Sequence, residues 1–110
     1  MIRVTVYKTG RQEYLGFDLS GHAGYGEEGF DIVCAAVSAL VINTVNSVEE
    51  FTEDKTSCVS DEENGMIQFR FQGQPSHDAS LLLDSLILGL EGIEESSEYK
   101  PYIDIIFKEV

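Results

Sequence analysis

The sequence is poor in cysteine, proline and basic residues, and it has no tryptophan. Its 110 residues include two cysteines, two prolines and seven lysines and arginines, against twenty aspartates and glutamates. Two cysteines are too few to staple a small secreted scaffold, and Cys34 and Cys58 do not form a C-x-x-C pair. We therefore expect two free thiols in a protein that stays in the reducing environment of the cytoplasm.

Long uninterrupted apolar runs are also missing. Polar residues or glycine break each apolar stretch, so we expect no membrane-spanning helix, which needs about 20 consecutive apolar residues. The opening residues MIRVTVYKTG alternate apolar and polar side chains and lack the apolar run of a signal peptide. They indicate a strand.

The shortage of basic residues gives the chain a formal charge of −13. A surface this acidic repels nucleic acid and anionic lipid, so we expect direct contact with neither nucleic acid nor a membrane. The charge suits a basic partner, or it only keeps the protein soluble, and composition leaves both interpretations open. The spacing of the two cysteines and two histidines matches no zinc pattern, so we expect no metal and no cofactor.

The hydrophobic pattern predicts a single domain over residues 1–110. Alternating residues predict five strands, at residues 2–8, 13–20, 55–60, 66–71 and 102–110. Apolar residues at helical spacing predict two helices, one over residues 32–51 with Asp31 as its N-cap and one that begins at Pro75-Ser76. The order is ββαββαβ. Hairpins favour an antiparallel sheet with both helices packed on one face, which is an α+β fold.

A glycine-rich segment, GHAGYGEEGFD at residues 21–31, separates the second strand from the first helix. Its four glycines predict a mobile loop and not a helix or strand. It lacks the G-K-[ST] ending of a phosphate loop and carries three acidic residues, which argues against a phosphate site. Tyr25 and Phe30 either line a pocket for an apolar side chain or pack the loop down.

The most informative pattern joins His22 to Cys34, twelve residues later. If Asp31 caps the helix, Cys34 is its third residue, where unpaired N–H groups and the helix dipole favour a thiolate. His22 can then take the thiol proton and return it to a leaving amine, while first-turn amides bind an oxyanion. This is the chemistry of a cysteine protease. The alternative is that Cys34 is a small core residue.

Asp31 and Ser38 each have two interpretations. Asp31 is a helix cap, or a group that orients His22 or polarises groups around the reacting carbonyl. A carboxylate near the sulfur would oppose thiolate formation. Ser38, one helical turn after Cys34, donates back to the Cys34 carbonyl or holds the thiol or His22. Cys58 lies in the middle of a predicted strand and is expected to pack in the core or the sheet.

The run SGHAGYGEEGFDIVCAAVS, residues 20–38, resembles the signature of the ribosomal-processing cysteine proteases. The resemblance implies that His22 and Cys34 are the catalytic pair and that Asp31 and Ser38 assist, and Gly21 belongs to the same specific Gly-His motif. It implies a homodimer with a mobile loop over the site. The implied substrate is the precursor of large-subunit ribosomal protein number twenty-seven, cleaved after a phenylalanine in a short N-terminal extension.

A rival interpretation comes from another class of protein. An acidic chain of this size can be a non-catalytic binding or assembly module for a basic ribosomal protein. The thiol separates the two, because a binding module has no need of a low-pKa cysteine at a helix start and would tolerate its loss.

Overall fold

The structure, a computed structural model, describes residues 1–21, 28–61 and 63–110, with the backbone alone for residues 28–30. The strands are β1 (Ile2–Lys8), β2 (Tyr14–Ser20), β3 (Thr56–Asp61), β4 (Met66–Phe71) and β5 (Ile103–Glu109), and the helices are α1 (Glu28–Phe51) and α2 (His77–Glu95). The predicted order ββαββαβ and the α+β class are confirmed.

The five strands form one sheet in the order β3-β4-β2-β1-β5. The pairs β1–β2, β2–β4 and β3–β4 are antiparallel, and β1–β5 is parallel. The two predicted hairpins account for antiparallel neighbours. β5 reaches β1 only after α2, and a connection through a helix allows a parallel pair. The sheet is therefore mostly antiparallel, with one parallel pair at an edge that the hairpins did not predict.

One face of the sheet forms the core with both helices. The register places Val4 beside Leu19 and Val6 beside Phe17, and Phe17 stacks on Phe69 with ring centroids 5.1 Å apart. The helices add two buried stripes, made of Val33, Val37, Val41, Val45 and Val48 in α1 and of Ala79, Leu83, Leu86, Ile87 and Leu90 in α2. This spacing is what the sequence pattern predicted for one-faced helices.

The opposite face of the sheet is polar. Arg70 donates to Asp18 with 2.8 Å between Nη1 and Oδ1, and the Tyr7 hydroxyl donates to Asp18 Oδ2 at 2.8 Å. Gly16 leaves room for this network, since a Cβ there would lie 2.0 Å from the Phe69 carbonyl oxygen and 3.0 Å from Arg70 Cδ. The charged network explains why the helices cover only the other face.

Helix α1 begins one turn earlier than predicted. Residues 28–30 are helical, so Asp31 is the fourth residue of the helix and Cys34 the seventh. The prediction that Asp31 is the N-cap, with residues 21–31 all in a loop, is therefore wrong. A single glycine such as Gly29 costs a helix about 1 kcal/mol relative to alanine, which a 24-residue helix with a buried stripe tolerates.

Residues Asp31–Phe51 of α1 are long and apolar enough to cross a membrane by length and composition, with a mean hydropathy of 1.6. The sequence pattern had predicted no such segment. Packing accounts for part of the apolar character, because Val37, Val41 and Val48 are 0% exposed in the core between α1 and the sheet, and 33% of the segment is buried. A core helix of a two-layer domain meets the same criterion as a membrane span.

Helix α2 begins where the sequence predicts. Ser76 is its N-cap, and the Ser76 hydroxyl accepts a hydrogen bond from the Ala79 N–H at 3.1 Å. The Tyr14 hydroxyl of β2 donates to Asp84 and so joins the helix to the sheet. Burial and Asp84 both raise the pKa of Tyr14, so this donor keeps its proton.

Candidate active site around Cys34

Cys34 lies in the second turn of α1, half-buried against the edge of the core. Cys34 follows Glu28 by six positions, which places it about 9 Å along the helix axis from the first residue of α1. The dipole effect and the unpaired N–H groups are concentrated in the first turn. The sequence pattern predicted that the helix start favours a thiolate at Cys34 and supplies oxyanion donors beside it. With Cys34 in the second turn, the helix start does neither directly.

The pKa of the Cys34 thiol is raised above its ordinary value. Burial is the largest cause, the Asp31 carboxylate adds to it by charge repulsion, and the amino group of Met1 lowers it in part. Asp31 precedes Cys34 by three residues, so the two side chains are neighbours on the helix surface. The expectation that Asp31 opposes the thiolate is confirmed. A thiolate at neutral pH therefore needs a further cation close to the sulfur.

The predicted cation, His22, lies outside the described residues, as does Tyr25, and of Phe30 only the helical backbone is described. The structure does describe the residue before His22. Gly21 has a φ of 84°, and a Cβ there would lie 2.2 Å from the Met1 carbonyl oxygen. Only glycine combines that backbone conformation with that close approach. Gly21 thus sets the direction in which the chain leaves β2, and the pairing of His22 with Cys34 stays a prediction.

Ser38 is half-buried, one turn beyond Cys34. Its side chain lines a groove. Whether the Ser38 hydroxyl donates back to the Cys34 carbonyl or holds the thiol or His22 stays a prediction.

That groove runs between α1 and the hairpin formed by β3 and β4. Its volume is about 420 Å³, within the range of about 300–1,000 Å³ found for ligand sites. The wall on α1 is formed by Ser38, Ile42, Val45 and Asn46, and the sheet contributes Cys58, Ser60, Asp61, Met66 and Ile67. Because Ser38 follows Cys34 by one turn, the groove begins next to the thiol.

Cys58 lies in this groove on β3, the outer strand of the sheet. It is exposed, so the prediction that it packs within the sheet is wrong. The reason is its place at the edge, where β4 is its one neighbouring strand and α1 leaves space above it. Burial of its sulfur and the charge of Glu49 raise the pKa of Cys58 as well.

The other histidine has no place in this site. His77 is exposed at the start of α2, with its Nδ1 3.1 Å from Asp78 Oδ1, as expected for a surface residue. Across residues 1–21, 28–61 and 63–110, no cluster of three or more histidine, cysteine, aspartate or glutamate side chains that could hold a metal occurs.

Sequence reasoning missed the groove itself. Val45 and Ile67 belong to patterns that predict buried faces, whereas Ile42 lies outside the predicted stripe and is half exposed, at 50%. The available signal was that Ile42 lies to one side of the valine stripe of α1. The sequence therefore shows that the helix has an apolar residue beside its buried stripe, but it does not show which element lies opposite that residue.

Comparison with known proteins places this chain in a family. The model of the family described as cysteine protease Prp matches residues 1–104. The ribosomal processing cysteine protease Prp of Bacillus subtilis is 33% identical over 104 residues, which cover 91% of each chain. The protein of the same name from Staphylococcus aureus is 33% identical over 90 residues, covering 82% of this chain and 83% of that one.

Solved structures agree over nearly the full length. The crystal structure of an essential ribosomal processing protease Prp from S. aureus in complex with a substrate peptide superposes with a TM-score of 0.91, at 30% identity. The same protease with a covalently linked product peptide gives a TM-score of 0.87 at 30% identity. Both alignments cover 98% of this chain and 100% of the other.

Proposed function

This chain belongs to the Prp family of cysteine proteases, and on that basis we propose that it processes a ribosomal protein. The substrate we propose is the precursor of large-subunit ribosomal protein number twenty-seven, which loses a short N-terminal extension by cleavage after a phenylalanine. The observation that carries this proposal is the full-length match to ribosomal processing proteases, one of them bound to a substrate peptide.

Cys34 is the proposed nucleophile. Its sulfur attacks the carbonyl carbon of the scissile bond, the carbon–nitrogen bond breaks, and a thioester to the enzyme remains. Water then attacks the thioester, which releases the new carboxyl end and restores the thiol. The raised pKa of Cys34 means that a base must remove the thiol proton before or during attack.

His22 is the proposed base. It takes the proton from Cys34, becomes an imidazolium that lowers the pKa of the thiol, and gives the proton to the departing amine. Gly21 supports this role, because its backbone conformation fixes the exit of β2 just before His22. The two residues thus form the catalytic pair.

Asp31 and Ser38 are proposed to assist. The Asp31 carboxylate by itself raises the pKa of Cys34, a cost that is offset if Asp31 also orients and stabilises a protonated His22. The Ser38 hydroxyl, one helical turn beyond Cys34, is proposed to hold the thiol or His22. Tyr25 and Phe30 are proposed to contact apolar residues of the bound peptide.

The charge and the cysteines of the chain support proposals about its partner and its cellular compartment. A net charge of −13 suits a basic ribosomal protein as partner. Two cysteines that form no C-x-x-C pair suit a reducing cytoplasm, which we propose as its compartment. We propose a homodimer as the working form, and light scattering during size-exclusion chromatography tests it: a mass near 12.2 kDa, that of a single chain, would contradict the dimer.

The decisive experiment is to incubate the protein with the full ribosomal precursor and measure product masses. We expect two products whose masses place the cut after a phenylalanine in the N-terminal extension, and no cleavage by the Cys34→Ser variant. An intact precursor after incubation with the wild-type protein would contradict the proposed substrate.

A further inference from the structure

The groove between α1 and the β3–β4 hairpin begins one helical turn from the proposed nucleophile, since Ser38 lines it and follows Cys34 by four residues. Ser38 lines the end nearest Cys34, and Val45 lines the part farther along the helix. With a rise of 1.5 Å per residue, these two positions lie about 6 and 16 Å from Cys34 along the helix axis. An extended peptide advances about 3.3 Å per residue. The groove therefore spans the places of residues about two to five removed from the bond that is cut.

The groove is lined by apolar residues together with some polar ones, which suits an apolar side chain of a ligand. Ile42, Val45, Met66 and Ile67 give it an apolar lining, and the polar residues Asn46, Ser60 and Asp61 also line it. Ile42 is 50% exposed although it is a large aliphatic residue. Apolar surface left open beside a reacting group is typical of a site that orients a ligand by burying its side chains.

We propose that this groove binds an apolar side chain of the substrate peptide, two to five residues from the scissile bond, and that Ile42 determines specificity there. The inference rests on the proposed function and adds to it a place on the enzyme where the peptide is recognised. The occupant we propose is a peptide and not a second copy of the chain, because the end of the groove that Ser38 lines is one helical turn from Cys34, within reach of a peptide cut there. Burial of its apolar side chain offsets the cost of ordering the peptide.

The first test compares two exposed aliphatic residues on the two helices. Ile42→Asn removes apolar surface from the groove without changing the charge, and Leu88→Asn makes the same kind of change on α2, at a residue that is 73% exposed and does not line the groove. For a long neutral peptide with an apolar residue in the stated window, we expect Ile42→Asn to lower kcat/KM about tenfold, mainly through KM. Leu88→Asn should stay within about twofold of the wild type.

The substrate supplies the complementary change. Replacing apolar residues of the peptide one at a time with serine, on both sides of the scissile bond, should locate one position whose replacement costs about tenfold in the wild type and almost nothing in Ile42→Asn. Equal losses in both enzymes at every position would overturn the proposal, as would an unchanged kcat/KM in Ile42→Asn.

A second test does not depend on turnover. In Cys34→Ser, Cys58 is the remaining thiol, and it lies in the groove. A saturating long peptide should slow alkylation of Cys58 at least about fivefold, and a peptide with serine at the located position should protect less. Alkylation that depends on protein concentration and not on peptide would assign the groove to a contact between copies of the chain and overturn the proposal.

These results separate the groove from the proposed function. If the wild type cleaves the precursor while Ile42→Asn and Cys58 alkylation behave as in the controls, the groove proposal fails and the protease proposal stands. If the wild type cleaves neither precursor nor peptide but the peptide protects Cys58, the groove binds peptide and the proposed reaction is wrong.

Discussion

The two thiols of this protein lie in different places but in similar electrostatic surroundings. Cys34 is half-buried on α1 and Cys58 is exposed on the edge strand β3. Burial raises the pKa of both, and an acidic neighbour adds to each effect, Asp31 for Cys34 and Glu49 for Cys58. Exposure would make Cys58 the more reactive thiol. If Cys34 is the nucleophile, as proposed, a specific partner must distinguish it from Cys58, and the sequence offers His22.

The largest expected difference between the two thiols is in catalytic turnover. Cys34→Ser and His22→Ala should each reduce cleavage of the ribosomal precursor by at least about a thousandfold, and the double variant should be no worse, because the two residues act as one unit. Cys58→Ser should keep cleavage within about twofold. Precursor cleavage followed by mass spectrometry measures this, with melting temperatures to show that each variant is folded. Cleavage by Cys34→Ser at a wild-type rate would remove Cys34 from the mechanism.

The second prediction concerns the order in which the thiols react. At pH 7 a small alkylating reagent should label Cys34 about tenfold faster than Cys58 in the wild type, because an imidazolium at His22 stabilises the thiolate. In His22→Ala that stabilisation is lost, and the exposed Cys58 should react first. Peptide mapping by mass spectrometry measures both rates in one sample. If Cys58 reacts first in the wild type as well, His22 does not activate Cys34.

The third prediction uses the two acidic neighbours. Asp31→Asn removes a negative charge that raises the pKa of Cys34, so this pKa should fall and Cys34 alkylation should reach half its maximal rate at a lower pH. Cleavage should nevertheless fall severalfold, because the orientation of His22 is lost. The melting temperature should change little, since Asp31 is not the helix cap.

Glu49→Gln is the matched control for Asp31→Asn. It should lower the pKa of Cys58 in the same way and leave cleavage unchanged. If Asp31→Asn leaves cleavage unchanged as well, Asp31 acts on the thiol pKa alone and has no part in positioning His22.

The smallest effect concerns the acidic surface that both thiols share. Attraction between this surface and a basic precursor acts over about 8–10 Å at physiological salt and mainly affects the association rate. Raising the salt concentration from low to moderate should lower kcat/KM for the full precursor several-fold and leave a short neutral peptide nearly unchanged. Equal salt dependence for both substrates would show that the charge serves solubility and not the choice of partner.

Much of the fold was predictable because its signals are local. Alternation located β1 at residues 2–8 and β4 at residues 66–71 with the bounds that the structure shows. Ser76 was placed at the start of α2, where its hydroxyl accepts from a backbone N–H. Patterns of this kind depend on residues within one turn or one strand, so the sequence contains all that is needed to interpret them.

The start of α1 was not predictable in the same way. Asp31 is a favoured cap and the glycines before it favour a loop, yet the helix extends back to Glu28. Local preference costs about 1 kcal/mol at a single glycine, and the packing of a long buried stripe exceeds it. That one-turn difference places Cys34 in the second turn of α1 and not at its start, so the proposed activation of the thiol depends on a side-chain partner.

The sequence by itself determined the order of elements, the apolar faces, the acidic charge and the residues whose pattern resembles a cysteine protease. Only the tertiary structure decided that Cys58 is exposed, that Ser38 lines a groove, and that Gly21 must approach Met1 closely. Each of these depends on residues far apart in the chain, brought together when α1 packs on the sheet and β3 takes its edge. Periodicity shows which side of an element is buried, but the distance between two packed elements, and hence a groove beside Cys34, exists only after folding.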